Sequence, residues 1–130
     1  MQQSATPNTQ IFIVDDSAFI RERLVGMLVE IEGVSVVGEA ESPAEAIAGI
    51  THTCPDVVML DLHLRNGSGL EVLRGLQFSL SGIVFIVLTN FPNSHYRKFC
   101  LEAGARYFLD KHTELGKIAD ILFELRATRH

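Results

Sequence analysis

Short apolar runs alternate with segments of helical periodicity along most of the chain. Three of the runs are β-branched, bounded by turn residues and apolar on both faces, as is typical of strands that helices cover on both sides. The alternation predicts an α/β fold, a doubly wound parallel sheet of five strands with five helices. It favours the flavodoxin-like strand order 2-1-3-4-5, although periodicity alone leaves the order open. The predicted strands are Ile11–Val14, Val34–Val37, Val57–Leu60, Ile83–Leu88 and Tyr107–Leu109.

Each predicted helix carries a start signal, mostly a Ser or Thr placed to accept a hydrogen bond from the first turn. Two of these signals are capping boxes, in which a Glu follows the Ser by three positions. Gly33 and Gly104 are expected to end the first and fourth helices. The start signals are Ser17, Ser42 with Pro43 and Glu45, Ser68 with Glu71, Pro92, and Thr113 with Glu114.

Length and composition predict one domain over residues 11–128, preceded by a flexible tail at residues 1–10. The net charge of −5 and the lack of a Lys or Arg run argue against direct nucleic-acid or membrane partners. Cys54 and Cys100 lie far apart without a pairing motif. The N-terminus has no signal-peptide pattern, and the longest apolar run is too short to span a bilayer. These features predict a cytoplasmic domain with reduced cysteines.

Polar residues follow four of the five predicted strands. Asp15 and Asp16 follow the first strand, Asp61 the third, Thr89 the fourth and Lys111 the fifth. In the order 2-1-3-4-5 these strands are neighbours, and ligands of open parallel sheets bind beyond the carboxyl ends of the strands. We therefore expect the five side chains to share one mouth.

The chemistry of this set points to phosphoryl transfer. Three carboxylates near one lysine need additional positive charge to ionise together, and Mg²⁺ accepts such oxygen ligands. A carboxylate beside Mg²⁺ can attack phosphorus and become an aspartyl phosphate. The metal, the hydroxyl of Thr89 and the ammonium of Lys111 could then stabilise the phosphoryl oxygens.

Simpler interpretations exist for each residue alone. Asp15, Asp16 and Ser17 could cap the first helix, Thr89 could be a turn hydroxyl, and Lys111 could be a solvated surface charge. None of these explains why the whole set converges at one edge.

The chain resembles the receiver domain of two-component response regulators from Ile11 to Leu125. The resemblance rests on the acidic pair, the Asp, the Thr and the Lys after successive strands, and on the segments "SGLEVL" and "GARYFLDK". It implies that Asp61 accepts the phosphoryl group and that Asp15, Asp16, Asp61 and the backbone carbonyl of His63 hold Mg²⁺. It also implies that Lys111 contacts the phosphate, with Thr89 and Phe108 as switch residues. No organic cofactor is expected.

By the same resemblance, the phosphoryl donor would be a histidine kinase or a phosphotransfer protein. The chain would not be an enzyme beyond its own phosphorylation and dephosphorylation. Phosphorylation would draw in Thr89 and let Phe108 turn inward, altering a surface on the fourth helix, fifth strand and fifth helix. Pro92, Tyr96 and Arg97 are expected contacts there, for a downstream protein or for a second copy of the chain. The sequence fits a stand-alone regulator or the receiver part of a longer one.

Three positions depart from the usual receiver pattern. Arg65 and His112 stand where receivers commonly have Pro, and Asn90 stands where they commonly have a very small residue. These changes bear on rates and on the choice of partner more than on the chemistry.

Rival functions remain open at this point. A receiver-like interaction module without phosphorylation would normally lack one of the acids or the Lys, whereas this chain has all three acids and the Lys. An aspartyl-phosphate phosphatase would place its nucleophile in a D-x-D spacing after the first strand, where this chain has "DDS". A flavin-binding module would need a Ser/Thr-rich phosphate loop there.

Overall fold

The computed structural model describes residues 8–76, 82–90 and 94–127. Five longer strands alternate with five helices, and two two-residue strands are inserted after the third. In chain order the elements are β1 (Thr9–Val14), α1 (Ala18–Leu28), β2 (Val34–Ala40), α2 (Pro43–Thr53), β3 (Val57–Asp61), β4 (His63–Leu64), β5 (Gly67–Ser68), α3 (Gly69–Leu76), β6 (Val84–Thr89), α4 (Ser94–Glu102), β7 (Ala105–Asp110) and α5 (Lys117–Ala127).

The five longer strands form one parallel sheet in the order β2-β1-β3-β6-β7. Counted within this sheet, the order is the predicted flavodoxin-like 2-1-3-4-5. The short strands β4 and β5 pair with each other as an antiparallel hairpin. Its turn includes Asn66 at a positive φ of 64°, a backbone conformation that Asn tolerates better than most residues.

The sheet separates two apolar clusters because successive side chains of a strand point to opposite faces. On one face, residues such as Phe12 and Leu60 pack with residues of α2, α3 and α4. On the other face, residues such as Ile13 and Met59 pack with α1 and α5. The inner face of α5 consists of Ile118, Ile121, Leu122 and Leu125.

The ring of Phe12 lies in a notch between β2 and α2. A Cβ placed on Gly49 of α2 would lie 2.5 Å from this ring, and one on Gly38 of β2 would overlap it. Glycine at both positions therefore lets β2 and α2 approach the ring closely, in a core that has little free volume.

Three of the predicted helix starts are confirmed by side-chain caps. The Ser17 hydroxyl accepts a hydrogen bond from the amide of Ile20, and the Ser42 hydroxyl accepts one from Glu45. At α3 the capping box is complete. Leu70 donates to the Ser68 hydroxyl, and the Ser68 amide donates to the Glu71 carboxylate.

Several predicted boundaries differ from the structure. The first helix ends at Leu28, and a turn carries the chain to Gly33, whose φ is 81°. The last helix begins at Lys117 because Glu114 joins a preceding turn, in which its amide and carboxylate bond to the backbone of Asp110. The strand β1 begins at Thr9, so positions 9 and 10 belong to the sheet and not to the predicted tail. The predicted start at Pro92 lies outside the described residues.

Within the described ranges, every helix is too short or too polar to cross a membrane.

Candidate functional site

The carboxyl ends of β1, β3, β6 and β7 meet at one edge of the sheet, where the predicted side chains come together. Asp15 follows β1, Asp61 and Thr89 end β3 and β6, and Lys111 follows β7. These four residues are buried, with exposures of 1%, 6%, 0% and 8%. Buried polar groups need hydrogen-bond or charge partners, so the contacts of these four residues show how the site is built.

Lys111 bridges two of the acids. Its Nζ lies 2.6 Å from Oδ2 of Asp15 and 3.1 Å from Oδ2 of Asp61. Burial alone would lower the pKa of Lys111, but the hydrogen bonds and charges of the two carboxylates outweigh it and raise the pKa above its ordinary value. The lysine is therefore a fixed cation between β1 and β3, contrary to the simple interpretation of a solvated surface charge.

Asp61 titrates unusually for an aspartate. Burial and the neighbouring charge of Asp15 raise its pKa from 3.8 to about 6, although Lys111 and the amide of His63 pull it down. That amide donates to Oδ1 of Asp61 over 3.2 Å. One ammonium thus compensates only part of the negative charge, and a further cation would favour the ionised carboxylate.

The acidic pair after β1 takes part both in the turn that caps α1 and in the candidate site. Oδ1 of Asp15 accepts a hydrogen bond from the Ser17 amide over 2.9 Å, while Ser17 itself caps α1. Oδ2 of Asp15 faces Lys111. Asp16 lies nearer the solvent than Asp15 does. The capping interpretation is therefore correct for Ser17. It does not explain the contact between Asp15 and Lys111.

Asp15, Asp16 and Asp61 form a group with the donor set of a hard-cation site. One carboxylate oxygen from each lies within 4.8 Å of the other two. Carboxylate oxygens suit Mg²⁺, which is usually bound by one or two carboxylates and keeps several waters. The three carboxylates therefore fit the metal that the sequence predicts. The carbonyl of His63 as a further ligand stays a prediction.

The two predicted switch residues are both inside the protein. Thr89 is fully buried, and its carbonyl accepts a hydrogen bond from the Lys111 amide over 2.8 Å. Phe108 packs in the same cluster as Phe12, whereas Tyr107 packs on the opposite face. The roles of Thr89 and Phe108 in a phosphorylation switch stay predictions.

Two of the three departures from the receiver pattern lie beside Lys111, and the third lies near Glu41. Nε of Arg65 lies 3.5 Å from Oε1 of Glu41, and the Arg65 side chain is exposed. Asn90 and His112 line a cavity of about 80 Å³ beside Lys111. None of the three takes part in the contacts among Asp15, Asp61 and Lys111 described above.

Three features were not predicted. Arg21 donates to the carbonyl of Asp15, and its place one helical turn after the cap Ser17 was the available signal. A Cβ on Gly69 would overlap the carbonyl of Asp61. The ring of His63 packs edge-on against Tyr96 of α4, with centroids 5.9 Å apart. The last two contacts depend on tertiary packing and have no local sequence signal.

Comparison with known proteins identifies the kind of domain that carries this site. The family model of the response regulator receiver domain matches residues 11–123. The chain is 32% identical over 120 residues to the DNA-binding transcriptional activator DevR/DosR of Mycobacterium tuberculosis, covering 92% of this chain and 55% of that protein. It is 29% identical over 113 residues to the response regulator GacA of Pseudomonas viridiflava, covering 87% of this chain and 53% of the relative.

A solved structure agrees with these matches. A two-component response regulator of the LuxR family from Aurantimonas sp. SI85-9A1 superimposes with a TM-score of 0.85 at 27% identity, covering 95% of this chain and 88% of that chain. The chain spans about half the length of the curated relatives it matches.

Proposed function

We propose that this chain, which belongs to the response regulator receiver domain family, accepts a phosphoryl group on Asp61 in a reaction that requires Mg²⁺. The observation that carries the proposal is the pairing of Asp61 with Lys111 at 3.1 Å, beside Asp15 and Asp16. The donor would be a histidine kinase or a phosphotransfer protein, acting in the cytoplasm.

The proposed reaction is a displacement at phosphorus. An oxygen of the ionised Asp61 carboxylate attacks the phosphoryl group, and the bond from phosphorus to the donor's imidazole nitrogen breaks. The electron pair of that bond leaves with the imidazole, and the product is an acyl phosphate. Since the pKa of Asp61 is about 6, most of the carboxylate is ionised at neutral pH and can act as the nucleophile.

The surrounding residues would stabilise the charge that the phosphoryl group brings. When bound by the three carboxylates, Mg²⁺ supplies positive charge to the phosphoryl oxygens. Lys111 is already 3.1 Å from Asp61 and can turn its ammonium to an oxygen of the new group. Thr89, at the end of the neighbouring strand, can donate its hydroxyl to another of these oxygens.

The output surface we propose lies around α4, β7 and α5. A groove of about 490 Å³ runs along these elements, and Arg97 and Phe108 are among the residues that line it. The guanidinium of Arg97 also contacts the carbonyl of Phe108 at 3.5 Å. A shift of β7 would therefore change the groove. A downstream protein or a second copy of the chain could bind there.

Incubation with acetyl phosphate, with and without Mg²⁺, followed by intact mass measurement tests the chemistry. We expect a gain of one phosphoryl group that depends on Mg²⁺ and disappears in Asp61→Asn. The matched control is Asp120→Asn, which removes an exposed carboxylate on α5 and should leave the uptake unchanged. Uptake that persists in Asp61→Asn would refute the assignment. No uptake in the wild type would favour an interaction module that is not phosphorylated.

A further inference from the structure

We propose that Arg21 is a positioning residue, which holds the peptide between Asp15 and Asp16 so that both carboxylates face one cation. This inference rests on the proposed metal-dependent function. Nη1 of Arg21 lies 2.6 Å from the carbonyl oxygen of Asp15. The Arg21 side chain is only 17% exposed, although it belongs to the outer layer of helices. The guanidinium of Arg21 is thus held against the backbone beside the two carboxylates.

Arg21 is itself anchored on the neighbouring strand. Its Nε lies 3.0 Å from Oε1 of Glu39 in β2, and its Nη1 lies 3.9 Å from Oε2 of Glu41. A guanidinium is planar and presents several donors in a fixed geometry, so it can bind a carboxylate and a carbonyl together. The side chain therefore links α1, the end of β1 and β2.

Arg21 contacts the peptide between Asp15 and Asp16, and the orientation of this peptide sets the direction of the Asp16 side chain. The amide of Asp15 is held by the carbonyl of Ala40 in the sheet, at 3.0 Å. The Asp15 side chain is held by Ser17 and Lys111. Its carbonyl is the group that Arg21 holds, and rotation of this peptide would swing Asp16 away. Outer groups that orient ligands in this way commonly change metal affinity by about 10–100-fold.

The sign of the effect separates positioning from electrostatics. Arg21 is a cation beside a site for another cation, so by charge alone its removal would strengthen Mg²⁺ binding. If Arg21 positions the acids, its removal weakens binding. Arg65 provides a matched control, because it pairs with the same Glu41 but makes no contact with the acidic pair among the described interactions.

We would titrate Mg²⁺ into the full chain by isothermal calorimetry at pH 7.5. We expect about tenfold weaker binding in Arg21→Met. Binding in Arg65→Met should be unchanged or slightly tighter. Arg21→Lys should recover part of the loss, since an ammonium can donate to the Asp15 carbonyl but lacks the second fixed donor. A melting curve in EDTA for each variant separates a general loss of stability from a loss of metal affinity.

Equal or tighter binding in Arg21→Met would overturn the inference. If Arg21→Met does not fold, Arg21→Lys replaces it, since this variant keeps the positive charge and loses the second fixed donor. It should then weaken Mg²⁺ binding by a smaller factor, and unchanged binding would overturn the inference. A wild type that binds no Mg²⁺ would refute the proposed function itself. A wild type that binds Mg²⁺, with variants that bind it equally well, would refute only the role of Arg21.

Discussion

The raised pKa of Asp61 predicts that Asp61→Asn stabilises the metal-free protein at neutral pH. The ordinary pKa of 3.8 stands for the unfolded chain, and the folded value is about 6. Below pH 3.8 the carboxyl is protonated in both states, so it favours neither. Between pH 3.8 and about pH 6 the Asp61 carboxyl is ionised in the unfolded chain but mostly protonated in the folded protein. Above pH 6 the folded protein carries an Asp61 carboxylate that its surroundings disfavour.

The magnitude follows from the separation of the two pKa values. A separation of about two pH units, at about 1.4 kcal/mol per unit, is a cost of about 3 kcal/mol above pH 6. An asparagine is neutral, has nearly the same shape and can still accept the hydrogen bond from the His63 amide. Asp61→Asn should therefore raise the free energy of unfolding by up to about 3 kcal/mol at pH 7.5 and leave it nearly unchanged at pH 4.

Urea unfolding in EDTA at several pH values between 4 and 7.5 measures this difference. Asp120→Asn is the control, because its carboxylate is exposed and should give no comparable gain. Saturating Mg²⁺ should narrow the gap, since the metal stabilises the folded wild type through Asp61. A destabilised Asp61→Asn at pH 7.5, or a gain independent of pH, would refute the reasoning. The first result would show that the pairing with Lys111 outweighs burial and the charge of Asp15, and the second would show that the ionisation of Asp61 is not the cause of the gain.

Two further predictions concern glycines. Gly69→Ala places a Cβ against the carbonyl of Asp61, so we expect slower uptake of phosphate from acetyl phosphate and a lower melting temperature; uptake at the wild-type rate would contradict this. Gly49→Ala forces a Cβ against the ring of Phe12 and should destabilise the protein by about 1–3 kcal/mol in urea unfolding. Its control is Gly26→Ala in α1, where the added Cβ meets open space and should stabilise by about 1 kcal/mol. Equal effects of these two alanines would contradict the close packing at Phe12.

Much of the fold could be predicted because its signals are local. Apolar runs and helix caps depend on neighbours in sequence, and Ser42 and Ser68 therefore mark the starts of their helices correctly. The ends were less predictable. Gly33 lies five residues beyond Leu28 because a turn intervenes, and Glu114 serves a turn before the last helix begins. The hairpin β4–β5 was missed because two-residue strands leave no periodicity to detect.

The sequence by itself determined which side chains reach the site. In a parallel sheet the carboxyl ends of neighbouring strands share one edge, so Asp15, Asp61, Thr89 and Lys111 converge once the strand order is known. Only the tertiary structure decided that Lys111 bridges the two acids and that burial raises the pKa of Asp61. It alone decided that Arg21 holds the Asp15 carbonyl and that Phe108 lies in the core. These properties depend on distances and burial, which packing sets between residues far apart along the chain.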